Sequence, residues 1–479
     1  MSFAETQYLP FLGLLLLAWP FLPVRGRVPA MLVASYVFFL AHRPAHGLLL
    51  LASTLIDYGV GLRLGVEQRA GRRRAWLVVS LALNLGLLGT FKYAGFAVDN
   101  LNALLGLAGR EPIPFEGFAL PLGISFYTFQ TLSYTFDVYA RRIEPCRRFD
   151  DYALYVSFFP QLVAGPIERA GHLLPQLRRL GGLHAANLSA GARLILWGLL
   201  KKWVCADRLV AHTRPVFYAP EQGDPITLLL AALAMTAVLY LDFSAYTDIA
   251  RGSARLFGVD LVRNFRRTFL STSLHDWARR WHMSLIDWMF DYVWAPLASG
   301  RMTHLRLWRS NLLVMTLFGL WHGAQWTFMV WGLGYGVVIS IQQSRRLARG
   351  RGGRRASPAA RGPLARALAG MLAWSATIVA CALLMMLFFS PDLAFSGRYL
   401  AGLFQLAGPA AGAPLEWAGV TLLVLALLFL GHASEVLVDL PRLWQRIGVA
   451  GRVAAFVLGS WVALAWRAPE VEPFVYFSF

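Results

Sequence analysis

Charge is what this chain has least of. Only 15% of its 479 residues are Asp, Glu, Lys or Arg, and 57% are hydrophobic, whereas an ordinary soluble domain carries about a quarter charged residues. A water-facing surface around a chain of this length is therefore excluded, and the mean hydropathy of +0.51 agrees. Acidic side chains are the scarcer sign, 26 against 45 Lys and Arg. Cysteine is almost absent: Cys146, Cys205 and Cys381 are far apart and make no CxxC or Cys/His cluster, so neither a disulfide framework nor a zinc site is expected. Nor is there a GxSxG, a Cys–His pair in sequence or a GxxxxGK[ST], and an enzyme built from this chain would lack an evident covalent nucleophile. No internal repeat appears, which argues against inverted-repeat transporters. No basic n-region precedes the first apolar run, so Tyr8–Val24 reads as a retained span rather than a signal peptide.

What fills the chain is long apolar runs. A helix needs roughly 20 apolar residues to cross the hydrocarbon core, with about 17 a working minimum. Uncharged runs near that length are Tyr8–Val24, Ala75–Phe91, Gly117–Phe136, Pro225–Leu241, Asn311–Ser344, Ala367–Pro391 and Trp417–Ser434. Shorter or interrupted ones are Val28–Ala41, Gly47–Leu62, Tyr152–Ile167, Leu194–Ala206 and Val453–Trp466. The expectation is an all-α, polytopic membrane protein with about ten to twelve embedded helical segments. It is read as one membrane domain over residues 1–479: N-terminal spans at 1–110, a core at 111–344, a basic cytoplasmic loop at 345–366 and C-terminal spans at 367–479.

The net charge of +19 comes largely from short loops: Arg25 and Arg27, Arg72 to Arg74, Arg141 to Arg148, and Arg345 to Arg366, the last with eight arginines and no acid. Lys and Arg concentrated between apolar runs follow the positive-inside rule and meet anionic headgroups. Membrane lipids, not nucleic acid, are the partner this pattern implies. With the N-terminus outside, the first loops fall in the cytoplasm. The sign bias then requires Tyr152–Ile167, with Pro160, Gly165 and Pro166, to dip in and return as a broken helix buried in protein.

An ionisable group inside a membrane segment is costly and is a functional candidate. His322 lies in Leu320-Trp321-His322-Gly323-Ala324-Gln325-Trp326, within more than thirty uncharged residues. A neutral imidazole can take a proton from a hydroxyl and return it to a leaving group, while Gly319 and Gly323 permit close approach. A histidine that merely hydrogen-bonds a neighbouring helix is the alternative. Downstream of His275, the residues Trp277, Trp281, Leu285 and Trp288 recur on one helical face and predict an amphipathic helix at the membrane interface, with His282 at the edge of the stripe. His275 and His282 are seven apart, too far for an HxxxH metal pair, and no metal site is expected. Asp242 and Asp248 end a span and are followed by Arg251 and Arg255, for which an ion-paired helix end competes with acid–base work.

Several stretches together resemble the membrane-bound O-acyltransferase family, in its branch of bacterial polysaccharide acetylation proteins. They are Phe91-Lys92-Tyr93, the run from Leu120 to Gln130, the run from Phe158 to Ile167, Lys201-Lys202, the run from Asp242 through Tyr246 to Asp248, Arg279-Arg280-Trp281-His282-Met283-Ser284 and Gly319-Leu320-Trp321-His322-Gly323. The resemblance covers roughly residues 85–335. It implies that His322 is the catalytic histidine, standing in a central tunnel, and that His282 occupies the family's second polar position. Trp321, Gln325, Trp326, Trp281, Asp248, Tyr246, Gln130 and Gln161 become candidates for the tunnel wall or substrate contacts. It implies further that no cofactor stays bound, and that acetyl-CoA donates from the cytoplasm of a bacterium across its inner membrane. The acetyl group would pass to an exported polysaccharide such as alginate, with a periplasmic acetyltransferase or esterase-like partner protein. A D-alanyl transferase of the teichoic-acid type, fed by a carrier protein, is the alternative within the family; a secondary transporter or flippase is the alternative outside it. Two stretches depart from the family pattern: Asn264-Phe265-Arg266-Arg267-Thr268-Phe269 has two added cations and no proline, and Pro296-Leu297-Ala298-Ser299-Gly300 replaces a Gly-Gly-Asn ending.

Overall fold

The computed structural model describes every residue except 1, 2, 4, 6, 42, 43, 353–361, 405–414, 439, 470, 471 and 476–479. Among the described residues there is no β-strand, and helices dominate. Five are long and apolar enough to cross a membrane: α1 (His46–Val66), α2 (Ala70–Leu88, continuing to Leu107 through a π-helical turn at Gly89–Tyr93), α4 (Pro225–Leu256), α7 (Pro363–Phe389) and α8 (Leu415–Leu437). The all-α class expected holds among the described residues, with five such helices where ten to twelve embedded segments were expected. The five helices coincide with runs read from the sequence, and Tyr8–Phe21 and Val449–Ala465 add shorter apolar helices.

Residues divide into two compact units, Met1–Gly198 with Tyr246–Arg263, and Leu199–Ala245 with Asn264–Phe479. In the first, α3 (Ile124–Tyr139) lies buried along almost its whole length against α1 and α2. Gly123 starts it with φ of 72°, a left-handed conformation that suits glycine; a Cβ there would meet the Leu162 carbonyl oxygen at 2.7 Å. The Tyr152–Ile167 segment is a broken helix, as expected. One helix ends at Ser157, another covers Phe159–Leu162, and every residue from Tyr152 to Ile167 is buried.

In the second unit the uncharged run around His322 is not one span. It folds into a hairpin, α5 (His304–His322) and α6 (Trp326–Gly352). Glycine makes the two backbones touch: a Cβ on Gly319 would lie 2.1 Å from the Phe328 carbonyl oxygen, and one on Gly332 would lie 2.1 Å from that of Met315. Small residues at such crossings let membrane helices pack by backbone contact. The basic segment expected as a loop from Arg345 is helical up to Gly352, and Pro363 already opens α7; 353–361 lie outside the described residues.

Candidate functional site

His322 is the last residue of α5, and Gly323 ends the helix in extended conformation. Its buried imidazole is surrounded by rings. Phe318, one helical turn back, is 4.9 Å away between centroids, Trp321 5.0 Å, Trp331 of α6 5.3 Å and Phe388 of α7 5.3 Å. Phe318 shares the histidine's face through the i, i+4 relation, so sequence spacing could have named it. Phe388 comes from a distant helix, and no local signal points to it.

His282 comes next to this ring. The expected amphipathic helix does not run through it: one helix ends at Ala278, the next begins at Met283, and His282 between them has φ of 43°. The tryptophan stripe survives the break but faces the interior, with Trp277, Trp281, Leu285 and Trp288 all buried. This corrects the interfacial reading: a stripe at helical spacing reports burial, not what buries it. Trp277 and Trp281 stack at 5.7 Å. The break is held by the Asn264–Thr268 stretch. Met283 N donates to Asn264 O at 2.9 Å, Ser284 Oγ donates to Asn264 Oδ1 at 2.6 Å, and Thr268 Oγ1 donates to Arg280 O at 2.9 Å. Pinned on both sides, the His282 ring lies 6.4 Å from His322 and 5.8 Å from Trp321.

Phe243 also packs on His282, at 4.8 Å between ring centroids. Its two neighbours are tied to a π-helical segment, Leu200–Ala206. Lys202 Nζ donates to Asp242 Oδ1 at 2.8 Å and lies 2.8 Å from Asp207 Oδ1, all three side chains being buried, while Lys201 Nζ donates to Ser244 Oγ at 2.9 Å. Val475 N completes the cluster, donating to Asp242 Oδ2 at 2.7 Å. Sequence reasoning placed Asp242 and Asp248 at an ion-paired helix end, which holds for Asp248 with Arg251, and missed the Asp242 cluster, because Lys202 is 40 positions away.

A cavity of about 1030 Å³ lies within the same unit; its lining reaches Met283 and Phe318 but not the His282 or His322 ring. Arg266, Arg279, Arg346 and His275 supply its basic groups, Met283, Met289, Met302 and Met315 much of its apolar wall, and Phe318 is also part of its lining. Phe318 is thus at once a wall of the cavity and a face of the His322 cage. Two of the cations, Arg266 and Arg279, belong to stretches already picked out in the sequence.

The remaining candidates are placed as follows. Trp281 and Trp321 are buried with the histidines, whereas Gln325 and Trp326 are exposed at the hairpin turn. Gln130, Gln161, Tyr246 and Asp248 belong to the first unit. There Gln130 and Gln161 both donate to the Tyr155 carbonyl, at 2.5 and 2.7 Å, the Tyr246 hydroxyl accepts from Ala164 N at 3.2 Å, and Asp248 pairs with Arg251 at 3.6 Å.

Comparison with known proteins adds to this geometry. Residues 147–386 match the family described as "MBOAT, membrane-bound O-acyltransferase family". The chain is 39% identical over 345 residues to the "Probable alginate O-acetylase AlgI" of Azotobacter vinelandii, covering 71% of this chain and 67% of that one. It is 32% identical over 340 residues to a "Peptidoglycan O-acetyltransferase" of Helicobacter pylori, covering 66% and 64%. A "Teichoic acid D-alanyltransferase" of Bacillus subtilis is 25% identical over 228 residues, covering 46% and 58%.

Proposed function

The chain belongs to the membrane-bound O-acyltransferase family, and from that premise we propose that it moves an acetyl group from cytoplasmic acetyl-CoA to the O-acetylation of an exported cell-envelope polysaccharide, alginate or a related glycan, at a bacterial inner membrane. One observation carries the reading. The large cavity combines arginines able to bind phosphate with a methionine-lined wall, and it shares Phe318 with the His322 cage. Phosphates of the donor bind Arg266, Arg279 and Arg346, and the apolar wall takes its acyl-bearing arm. Arg346 belongs to the basic segment that the positive-inside bias retains in the cytoplasm, which supports donor entry from that side.

In the reaction, His322 removes the proton from an acceptor hydroxyl as that oxygen attacks the thioester carbonyl. The carbon–sulfur bond breaks, and the imidazolium returns the proton to the departing thiolate. His282, with its ring 6.4 Å away, holds the hydroxyl or the developing oxyanion. General-base action contributes about 10²–10⁴ in rate; orientation and stabilisation of developing charge contribute the remainder. A periplasmic esterase-like or acetyltransferase partner carries the group onward.

Membranes containing the protein, given radiolabelled acetyl-CoA, test this. His322→Ala should abolish acyl transfer while protein levels hold, and Arg279→Ala should raise the KM for acetyl-CoA about tenfold with little change in kcat. Full activity in His322→Ala would sink the reading. Labelling only from an acylated carrier protein would point to the D-alanyl-transferase alternative, and transport that persists in His322→Gln to a transporter.

A further inference from the structure

A buried indole beside His322 keeps a hydrogen-bond donor that the chain itself does not use. Trp331 of α6 is 3% exposed, and among the described residues nothing accepts a hydrogen bond from its Nε1–H. A polar group in that position has given up water and received nothing in exchange, so its presence calls for an explanation. Indole nitrogen only donates, which narrows its partner to an acceptor.

The surroundings say which acceptor. Of the four rings described around His322, Trp321 and Trp331 alone carry an N–H. Trp331 stands 5.3 Å from the imidazole between centroids, edge-on at 83°. It also lines a small, largely apolar space of about 20 Å³, with Trp277, Trp281 and Tyr335 among its other walls; Trp321 does not. Ala278, Ile286, Met315 and Phe318 line both this space and the large cavity, so the two share a wall. A space of that size takes about one water-sized group. The head of an acetyl thioester fits that description, and a longer acyl chain does not.

Resting on the acyl-transfer reading, we propose that Trp331 Nε1–H is the donor that stabilises the oxyanion of the reaction. As the acceptor oxygen attacks, the carbonyl π pair moves onto the thioester oxygen, and the indole donates to that oxygen. The pair returns to re-form the carbonyl when the carbon–sulfur bond breaks and the thiolate takes the proton from His322. A base and an oxyanion donor that reach different oxygens of one carbon stand several ångström apart, as these two rings do. His282 is left to orient the acceptor hydroxyl. A neutral thioester carbonyl is a weaker acceptor than the oxyanion, so the contact strengthens in the transition state and acts on kcat rather than on KM.

Replacement of Trp331 by 3-benzothienylalanine, which keeps the bicyclic shape and exchanges N–H for sulfur, is the test. Acetyl transfer from acetyl-CoA and thermal unfolding are measured on the full-length protein in detergent. kcat should fall about a hundredfold with KM for acetyl-CoA unchanged, while Tm stays equal or rises, because a buried donor without an acceptor has been removed. Trp331→Phe should show the same loss of kcat with a lower Tm, since it also removes part of a buried ring. Transfer equal to the parent's in the benzothienyl variant overturns the proposal, even where Trp331→Phe is inactive, because shape alone would then account for the residue. A loss of kcat accompanied by a fall in Tm in the benzothienyl variant overturns it too, assigning the N–H to packing. A parent protein that moves no label from acetyl-CoA overturns instead the acyl-transfer reading beneath it.

Discussion

Phe318 is the side chain whose removal separates access from chemistry. It lines the cavity and packs on the His322 ring at 4.9 Å. Phe318→Ala should therefore enlarge the space for the acyl chain. One methylene in an apolar pocket is worth about 1–3 kcal/mol of discrimination, so kcat/KM for a butyryl donor relative to acetyl should rise about tenfold in a competition assay. Truncating a buried phenylalanine costs about 3–5 kcal/mol, and the protein should unfold at lower temperature than the parent. His282 makes a different demand, on the backbone. Its φ of 43° is tolerated by Asn and strained for a β-branched residue. His282→Asn should keep the parent's thermal stability while transfer falls, whereas His282→Val should lower Tm as well; equal Tm values would show that the backbone there relaxes freely.

At the scale of elements, the π-helical Leu200–Ala206 segment and α4 are joined by a buried charge cluster rather than by apolar packing alone. Lys202 serves both Asp242 and Asp207, and Phe243, next to Asp242, packs on His282. Lys202→Met leaves two carboxylates facing each other without a cation, and removing one partner of a buried pair costs about 3–5 kcal/mol. Accelerated thermal inactivation should show it, and the double variant Lys202→Met with Asp242→Leu should recover part of the loss. If Lys202→Met is as stable as the parent, the cluster is not what fixes α4. Sequence patterns gave helix existence but not helix ends. The hairpin turn at Gly323, Ala324 and Gln325 carries no charge or proline, so hydropathy ran straight through it. The break at His282 is held by hydrogen bonds that Asn264 accepts and Thr268 donates, which periodicity cannot register.

For the molecule as a whole, composition alone settled the class: there is too little charge for a water-facing surface, and α2, α4, α7 and α8 lie where uncharged runs reached membrane length, whereas α1 lies in a run that read as short. His282, His322, Trp281 and Trp321 were legible because polar and aromatic groups stand out in an apolar chain, and they do come together. Gln130 and Gln161 stood out for the same reason, yet their amides are engaged by the Tyr155 carbonyl. The division into two units was not legible, because α4 contains no breaker between Ala245 and Tyr246, where the division falls. The cavity was not legible either, since methionine in a sequence reads simply as apolar. Its wall of Met283, Met289, Met302 and Met315 has a chemical cost. Thioethers become polar sulfoxides under oxidants, so dilute hydrogen peroxide should silence acyl transfer, a sulfoxide reductase should revive it, and a bound donor should shield it. Envelope acetylation would then fall during oxidative stress with no change in the amount of protein.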